Sequence, residues 1–443
     1  MKDIAEAKNF YLTRFADFEG ERAEGPSWMR EIRKAAMTRF AALGFPTTRD
    51  EEWKYTSIDP IVKHPFSPAR YRRDGLTREW LSTLGLEALG QTQLVFINGH
   101  FSAELSSSTV RDKVEAGSLA DALSNRAGWL EQHLARYADY ENQSLVALNT
   151  ALMEDGAYLF VPRGKILEEP IHLLFVTTAP DDATVCHSRS LIVLESGSQA
   201  TVVESYLSLG QEIYFTNAVT ESAVGEGSVL DHYKIQWESA EGFHIATHQA
   251  RLERSSSFSS HSIALGGTLV RNELNVTLAG EGAGCVLNGL YMGTERQHID
   301  NHTRIDHVKP RCASRELYKG ILGGRSRGVF HGKIYVHKAA EKTDAVQTNK
   351  NLLLSDEAWV DTKPQLEIYN NDVKCSHGST IGQLDQDALF YLRSRGIEWK
   401  DACALLTQGF ASDITGRMKS APVRTSVENL VAKKLAIILE IRD

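Results

Sequence analysis

The amino-acid sequence predicts a mostly β protein with α-helical regions at both ends. Between about Ala157 and Leu384, short runs of β-branched and aromatic residues recur between glycine or serine turns, and helical periodicity is absent. The segment Leu269–Leu278 alternates apolar with polar residues, as a strand with one buried face does. Because no helices are available for crossovers, this region should fold as a sandwich, a propeller or a β-solenoid, and the strand pattern leaves these three alternatives open.

The same patterns divide the chain into three regions. Residues 1–150 form a mainly helical region, residues 151–384 the strand-rich core, and residues 385–443 a C-terminal helical region. If the core is a β-solenoid, its terminal rungs need covers, and the helices on both flanks could serve.

In the N-terminal region, local signals predict helices and one hairpin. Ser27 is expected to cap a helix that Gly44 ends, while Thr77–Leu89 and Leu119–Leu134 have helical apolar spacing. Between these two stretches, the pair Asn98-Gly99 predicts a type I′ turn. A charged and aromatic cluster could bind a partner, although nothing in its spacing requires one: Arg49, Asp50, Glu51, Glu52, Trp53, Lys54 and Tyr55.

Composition and charge exclude several classes of protein. The chain has 443 residues, of which 42% are apolar and 24% charged, as in ordinary soluble globular proteins. Its net charge of -8 and the lack of a basic tract argue against a nucleic-acid or membrane partner. No signal-peptide pattern or membrane-spanning apolar run is found, so we expect a cytoplasmic protein. The 5 cysteines include no C-x-x-C and should be reduced thiols.

Cys375 and His377 are the candidate functional residues. They stand two residues apart, so in an extended strand both side chains leave the same face, and a thiol and an imidazole share one surface. The alternative is structural, with Cys375 as a small buried residue and His377 as a hydrogen-bonded strand residue. Asp385 is expected to cap the helix that follows, and Gly396 to end it.

Two motifs that resemble catalytic signatures do not have the required context. Gly324, Ser326 and Gly328 match G-x-S-x-G, but a strand-like segment follows where a nucleophile elbow requires a helix. The segment from Gly328 to Lys333 is one residue too short for a Walker A loop, and Ile334 follows it instead of Ser or Thr. We therefore expect neither a hydrolase nor an ATPase, and no enzyme activity.

A group of histidines within the core also resembles a ligand set. It comprises His298, His302, His307 and Cys312. In an extended strand, His298 and His302 share a face that His307 does not. Solvated strand histidines are therefore expected here.

Two further helices are predicted after Gly396. Gly409 is expected to end the first, and Thr425 with Glu428 to form a capping box for the second. The second helix should either pack on the body of the protein or offer a face to another protein. Three residues would make its opposite side basic: Lys433, Lys434 and Arg442.

Several long segments together resemble a known family. They read KTDAVQTNKNLLLS, VDTKPQLEIYNNDVKCSHGSTIGQLD, LFYLRSRGI, NHTRIDHVKPRCASRELYKGIL, NTALMEDGAYLFVPRGKILEEPIHLLFV and GFPTTRDEEWKYT. Over nearly the whole chain, the sequence is similar to the SufD family, the non-ATPase subunits of the SUF iron-sulfur cluster assembly complex. The resemblance implies a right-handed parallel β-helix flanked by helical regions.

The resemblance also implies partners and a site. The partners are a paralogous SufB, joined through the end of the β-helix, and the ABC-type ATPase SufC, bound by the C-terminal helices; alone, the chain is expected to be a homodimer. His377 and Cys375 match the family motif as candidate ligands for a transient iron-sulfur cluster or iron at the partner interface. SufB-like sequences place a cysteine where this chain has Ala358. No cofactor should stay bound to the isolated chain, and flavin binding in the complex is left open.

Three functions in different classes are consistent with the residues. An assembly scaffold is favoured, because the chain combines a thiol and imidazole pair with helices for partners and lacks a self-contained catalytic set. A β-helix enzyme acting on carbohydrate would need paired carboxylates in a groove. A purely structural subunit, which holds the complex while SufB does the chemistry, is the main alternative.

Overall fold

A computed structural model describes residues 2–21, 25–83, 85, 89–107, 114–178 and 183–440. Helices precede and follow a long series of strands. The N-terminal helices are α1 (Lys2–Glu21), α2 (Ser27–Leu43), α3 (Asp59–Val62), α4 (Arg78–Thr83), α5 (Leu119–Asn125), α6 (Ala127–His133) and α7 (Ser144–Leu152), with a 3₁₀ turn at Glu51–Trp53. The C-terminal helices are α8 (Gln386–Ser394), α9 (Trp399–Thr415) and α10 (Ala421–Glu440).

The strands begin in the N-terminal region, and among the described residues no helix lies between β5 and β21. They are β1 (Ser67–Pro68), β2 (Thr92–Ile97), β3 (His100–Phe101), β4 (Glu115–Ser118), β5 (Gly156–Val161), β6 (Ile171–Thr177), β7 (Thr184–Cys186), β8 (Arg189–Leu194), β9 (Gln199–Ser208), β10 (Tyr214–Val224), β11 (Val229–Trp237), β12 (Gly242–Leu252), β13 (Ser257–Ala264), β14 (Leu269–Leu278), β15 (Gly284–Gly293), β16 (His298–His307), β17 (Ala313–Leu322), β18 (Arg327–Val336), β19 (Thr343–Leu353), β20 (Trp359–Ile368) and β21 (Val373–Gly382).

These strands form a parallel β-solenoid of about seven turns. Even-numbered strands from β8 to β20 belong to an 11-stranded sheet, and odd-numbered strands from β9 to β21 to a 10-stranded sheet. Along each sheet, a strand pairs in parallel with the strand two positions later in the chain, so the chain changes sheet at every strand. The prediction of a parallel β-helix between helical flanks is confirmed, and the sandwich and propeller alternatives are wrong.

The lumen between the two sheets is the main core, and its lining is mixed. Apolar side chains from both sheets meet there, such as Leu287 of β15 and Phe330 of β18. The lumen also holds ionisable groups, since His232 Nε2 lies 3.0 Å from Glu204 Oε2 with both side chains buried. Lys234 Nζ reaches across to His244 Nε2 on the opposite sheet at 2.9 Å. Burial therefore does not follow a simple alternation of apolar and polar residues.

The outer face of the 10-stranded sheet carries the C-terminal helices. Leu290 and Ile321 of this sheet lie in one apolar cluster with Val427 and Leu430 of α10. A face of α10 is therefore packed on the body of the protein. Lys434 is also buried and donates to Gln297 Oε1 at 2.8 Å, so it is not part of an exposed basic side. Arg442 lies outside the described residues.

Several local predictions are confirmed. The Asn98-Gly99 turn has positive φ at both residues, as a type I′ turn requires, and joins β2 to β3. The Asp385 side chain accepts from the backbone N–H groups of Asp387 and Ala388 and caps α8. Gly396, with φ of 87°, follows the end of α8, and Gly44, with φ of 68°, ends α2.

Other helix predictions are wrong at their ends. Ser27 is the first residue of α2 and makes no capping hydrogen bond, because Pro26 takes the preceding position. The Leu119–Leu134 stretch breaks at Arg126, whose backbone is not helical and whose side chain pairs with Glu115. The Thr77–Leu89 stretch is helical only over α4, and residues 84 and 86–88 of that prediction lie outside the described residues.

The two C-terminal helices also differ from their predicted limits. Gly409 does not end α9, which continues to Thr415. The capping box is wrong because α10 begins at Ala421, four residues before Thr425. The Glu428 carboxylate instead accepts from Thr415 Oγ1 of α9 at 3.2 Å. None of the described helices is long and apolar enough to cross a bilayer.

Candidate functional site at the open end of the solenoid

The solenoid ends in two strands that each lack a neighbour on one side. β20 is the terminal strand of the 11-stranded sheet, and β21 that of the 10-stranded sheet. Each therefore presents a row of backbone N–H and C=O groups that no further strand of the described chain pairs. Most residues of β21 are exposed, whereas the strands of the preceding rungs are mainly buried. We call this last rung the open end.

Cys375 and His377 lie on β21 at this open end. In the register of the 10-stranded sheet, Cys375 pairs with Ala345 and His377 with Gln347. Ala345 and Gln347 are both buried in the lumen. Because side chains at paired positions of parallel strands share one face, Cys375 and His377 continue the inner wall of the solenoid and not its outer surface. They are accessible because the solenoid stops there.

The surroundings of the two residues differ. Cys375 is half-buried against Ile334, Val336 and Ala345, and this burial raises the pKa of its thiol. His377 is exposed, and in the described part of the chain its imidazole has no hydrogen bond or ion pair. The thiol is thus held neutral, while the imidazole is free to accept a new partner. Of the two candidate ligands, His377 is therefore the more accessible.

A polar column continues from His377 into the lumen. Gln347, directly below it in register, donates from Nε2 to Glu316 Oε2 at 2.7 Å. Glu316 is the paired residue of Gln347 one rung further in, and burial raises its pKa to about 7. Sequence reasoning missed both residues. Gln347 lies one rung before His377 in the sequence, and Glu316 lies one rung before Gln347. This spacing can be recognised only when the rung length is known.

Ala358 lies at the same end, on the other sheet. It immediately precedes β20 and is buried in the apolar cluster that fills the lumen, together with Val360. The position at which SufB-like sequences carry a cysteine therefore faces the protein interior beside the open end. This chain has a methyl group there, so the position offers no metal ligand.

The upstream histidine group does not form one site, and its predicted solvation is wrong. His302 and His307 are buried and His298 is half-buried. His307 Nε2 lies 3.0 Å from Ser314 Oγ, and the Cys312 thiol donates to Gly280 O. His298 and His302 share a face, as predicted.

The charged and aromatic cluster of the N-terminal region explains why His302 is covered. Trp53 packs its ring 3.9 Å from the Arg271 guanidinium carbon on the outer face of β14. Thr56 Oγ1 donates to Asp300 Oδ2 at 2.5 Å on the neighbouring β16. This segment therefore binds the solenoid of its own chain. It also covers the start of β14, where the first four residues are buried although the alternation pattern predicted one exposed face.

Together, the fold and this end define a parallel β-solenoid protein with helical flanks and with a thiol and an imidazole, the two candidate metal ligands, at one open end. Residues 6–173 match the SufBD protein N-terminal region, and residues 175–410 match the SUF system FeS cluster assembly, SufBD core domain. The chain belongs to the SufBD family of iron-sulfur cluster assembly proteins.

Curated relatives support this assignment over most of the chain. The iron-sulfur cluster assembly protein SufD of Escherichia coli is 33% identical over 88% of this chain and 90% of its own length. An iron-sulfur cluster assembly SufBD family protein of Synechocystis is 34% identical over 90% of both chains. Protein ABCI7, chloroplastic, of Arabidopsis thaliana is 29% identical over 91% of this chain and 85% of its own.

Proposed function

We propose that this chain is the non-ATPase partner subunit of a SufBCD-type complex. In this role its open end meets a SufB-type paralogue, and iron acquisition and nascent cluster formation take place at the interface. The observation that carries the proposal is the last rung, where unpaired strand edges and an unpartnered inward-facing His377 lie together. The finished cluster is cargo, handed on to other proteins.

The ligand count supports a shared site. Iron-sulfur clusters are usually held by four protein ligands, and this end supplies one imidazole and one thiol. Neither Ala358 nor the buried Glu316 adds an accessible ligand. A second chain is therefore required to complete the set.

Exposed apolar side chains at the same rung also favour a partner there. Aromatic residues are enriched at protein–protein interfaces relative to the rest of the surface. The open end exposes four large apolar side chains, of which two are aromatic: Trp359, Ile368, Tyr369 and Ile381. A paralogous solenoid that docks end to end would cover these side chains and pair the strand edges in one step.

The C-terminal helices are suited to an ATPase partner. The chain has no phosphate-binding loop, so any response to ATP must come through a docked protein. On α8 and α9, Phe390, Tyr391 and Leu405 are exposed. α8 begins four residues after β21 ends, with the buried Leu384 between them. Movement of these helices by an ABC-type ATPase would therefore be transmitted directly to the open end.

The test is to replace the candidate ligands in the assembled complex. His377→Ala should leave complex formation intact and strongly reduce cluster yield, whereas Cys375→Ser should have a smaller effect because its thiol is already held neutral. Ser379→Ala is the matched control, since Ser379 lies on the same strand and face. Complex formation is measured by size-exclusion chromatography with light scattering, and cluster yield by iron and acid-labile sulfide content.

A normal cluster yield from a verified His377→Ala complex would contradict a ligand role. The chain would then be a purely structural subunit of the same complex. Loss of complex formation in the Ser379→Ala control would show that any change on this face disturbs docking, and would remove the inference about His377.

A further inference from the structure

A second group of metal-ligating side chains lies away from the open end, on the outer face of the 11-stranded sheet. His302 of β16 and His331 of β18 pair directly in register, so their rings stand one above the other on consecutive rungs. Both are nine-tenths buried or more, with 9% and 2% of their surface exposed. The 3₁₀ turn at Glu51–Trp53 crosses this face and brings the Glu52 carboxylate to both rings.

The three side chains are spaced as ligands of one ion. Glu52 Oε2 lies 3.4 Å from His331 Nδ1 and 3.6 Å from His302 Nδ1, and all three ligand atoms lie within 4.8 Å of one another. These two separations exceed normal N–H···O hydrogen bonds, which are about 2.7–3.2 Å long. Ligand atoms held about 2.1 Å from a tetrahedral ion lie about 3.4 Å apart.

The second nitrogen of each ring is already engaged. His331 Nε2 lies 2.6 Å from Gln365 Oε1, an oxygen that only accepts, so Nε2 carries the proton and the Nδ1 lone pair faces Glu52. His302 Nε2 lies 3.0 Å from Arg271 Nη1, which can only donate, and 3.0 Å from Asp300 Oδ1, which makes no hydrogen bond. When His302 Nδ1 binds an ion, the ring proton must be on Nε2, where Asp300 Oδ1 is placed to accept it. Histidines that bind metals are usually oriented by such a carboxylate or carbonyl on the far nitrogen.

The local charge suits a cation. Arg271 Nη1 lies 3.0 Å from His302 Nε2, but this guanidinium is paired with Asp300 at 2.5 Å and with Glu273 at 2.7 Å. The site therefore holds three carboxylates, those of Glu52, Asp300 and Glu273, and one guanidinium. Arg304, which also lines the cavity, is paired with Asp306 at 2.8 Å. The two nearest lysines are neutralised separately, Lys333 by Glu367 and Lys363 by Glu51, each at 2.8 Å.

The site is also accessible. Glu52, His302 and His331 line a cavity of about 490 Å³ between the solenoid and the N-terminal region. Its other walls include Asp50, Thr303 and Asn275, so polar groups form part of the lining. An ion could enter from this side and keep water in its remaining coordination positions.

We propose that Glu52, His302 and His331 bind one divalent first-row transition-metal ion per chain. Two imidazoles and one carboxylate suit Zn²⁺ and Fe²⁺, and they leave coordination positions open toward the cavity. Because Glu52 precedes the histidines by 250 residues or more, the ion would tie the N-terminal region to the solenoid. The site is on the sheet opposite His377 and does not depend on the function proposed above.

The test is direct metal binding by the full-length chain. Cys375→Ser and His377→Ala are introduced together in every sample, so that the open end contributes no ligands. After treatment with a chelator, the protein is titrated with Co²⁺ and Zn²⁺, and with Fe²⁺ under anaerobic conditions. One ion should bind per chain, the Co²⁺ form should show d–d absorption bands, and crystals of the Zn²⁺ form should give one anomalous peak among the three side chains.

Two substitutions separate this site from general charge effects. Glu52→Gln should weaken binding at least tenfold, while Glu51→Gln removes the same charge one residue away but no ligand, and should weaken binding much less, only through the release of Lys363. Gln365→Leu, which frees His331 Nε2, should weaken binding about 10- to 100-fold. The unfolding temperature of each metal-free variant verifies that it is folded.

Specific results would overturn the proposal. These are the absence of stoichiometric binding, equal losses in Glu52→Gln and Glu51→Gln, or an anomalous peak elsewhere. If no metal binds and Glu52→Gln only lowers the unfolding temperature, the three residues form an ion pair that holds the N-terminal region in place.

Discussion

Trp359 at the open end provides the sharpest test of end-to-end docking. Its side chain is 62% exposed on β20, the strand that lacks a neighbour on one edge. A Trp side chain buries up to about 250 Å², so docking would remove about 150 Å² from water. At about 25 cal/mol per Å² this is about 4 kcal/mol, and Trp residues at the centre of interfaces typically contribute about 2–4 kcal/mol. Trp359→Ala should therefore weaken binding to the SufB-type partner about 30- to 1,000-fold.

The assay is isothermal titration calorimetry with purified partners, and Phe390→Ala serves as the crossed control. Phe390 is 76% exposed on α8 and belongs to neither of the two terminal strands. Phe390→Ala should weaken binding of the ATPase and leave binding of the SufB-type partner unchanged, while Trp359→Ala should do the reverse. An affinity for the SufB-type partner within threefold of wild type in Trp359→Ala would refute docking through the open end.

Two further substitutions test the internal structure. Glu221→Gln should destabilise the fold by about 3–5 kcal/mol, measured by urea unfolding, because the fully buried Arg189 loses its counter-ion. In the wild type, the Arg189 guanidinium lies 2.7 Å from the Glu221 carboxylate. Glu253→Gln, which breaks an exposed ion pair, is the control and should change stability by less than about 1 kcal/mol. Glu316→Gln should alter the pH dependence of unfolding, since burial raises the pKa of Glu316 to about 7. Between about pH 4 and pH 7 the folded state then binds more protons than the unfolded state. As the pH rises through that range, the free energy of unfolding of the wild type should therefore fall by up to about 3 kcal/mol relative to that of the variant. If the difference in unfolding free energy between wild type and variant stays constant across that range, Glu316 is ionised in the folded state.

Several signals carried by adjacent residues predicted the local structure correctly, although the Ser27 cap and the Gly409 stop did not. The turn at Asn98 and Gly99, the cap at Asp385 and the stop at Gly396 all depend on local backbone geometry, and all are present. The capping box at Glu428 failed because the carboxylate takes a partner from another helix, Thr415 of α9. A pattern of four residues cannot report such a competing long-range contact.

The solenoid itself could not be derived from strand patterns alone. In the strand register, His302 pairs with His331, and His331 pairs with Lys363. Successive rungs therefore differ in length, and no fixed repeat appears in the sequence. The lumen holds Glu204 and Lys234 among apolar residues, which obscures the inner face. Family resemblance supplied the architecture, since it does not depend on either signal.

The burial of the upstream histidines had a different cause. Their strand pattern correctly separated His302 from His307. His302 is not solvated because the segment around Trp53 folds back over the outer face, and His307 is not solvated because its side chain faces the lumen beside Ser314. The contact over the outer face joins Trp53 to Arg271, which are far apart in the sequence. Strand periodicity describes only which face a residue occupies and not what covers that face.

The inward orientation of His377 and Cys375 has a mechanistic consequence. In the rung below, the same two positions are completely buried, so a docked solenoid would enclose both residues within a continuous lumen. Burial already raises the pKa of Cys375, and further burial would favour its neutral thiol unless a metal ion were bound. Since a thiol must lose its proton to coordinate iron, ligation and enclosure oppose each other unless iron arrives while the end is open. A shared site at this end would therefore require a cycle of opening and closing, and the direct connection between β21 and α8 places the C-terminal helices where an ATPase could drive it.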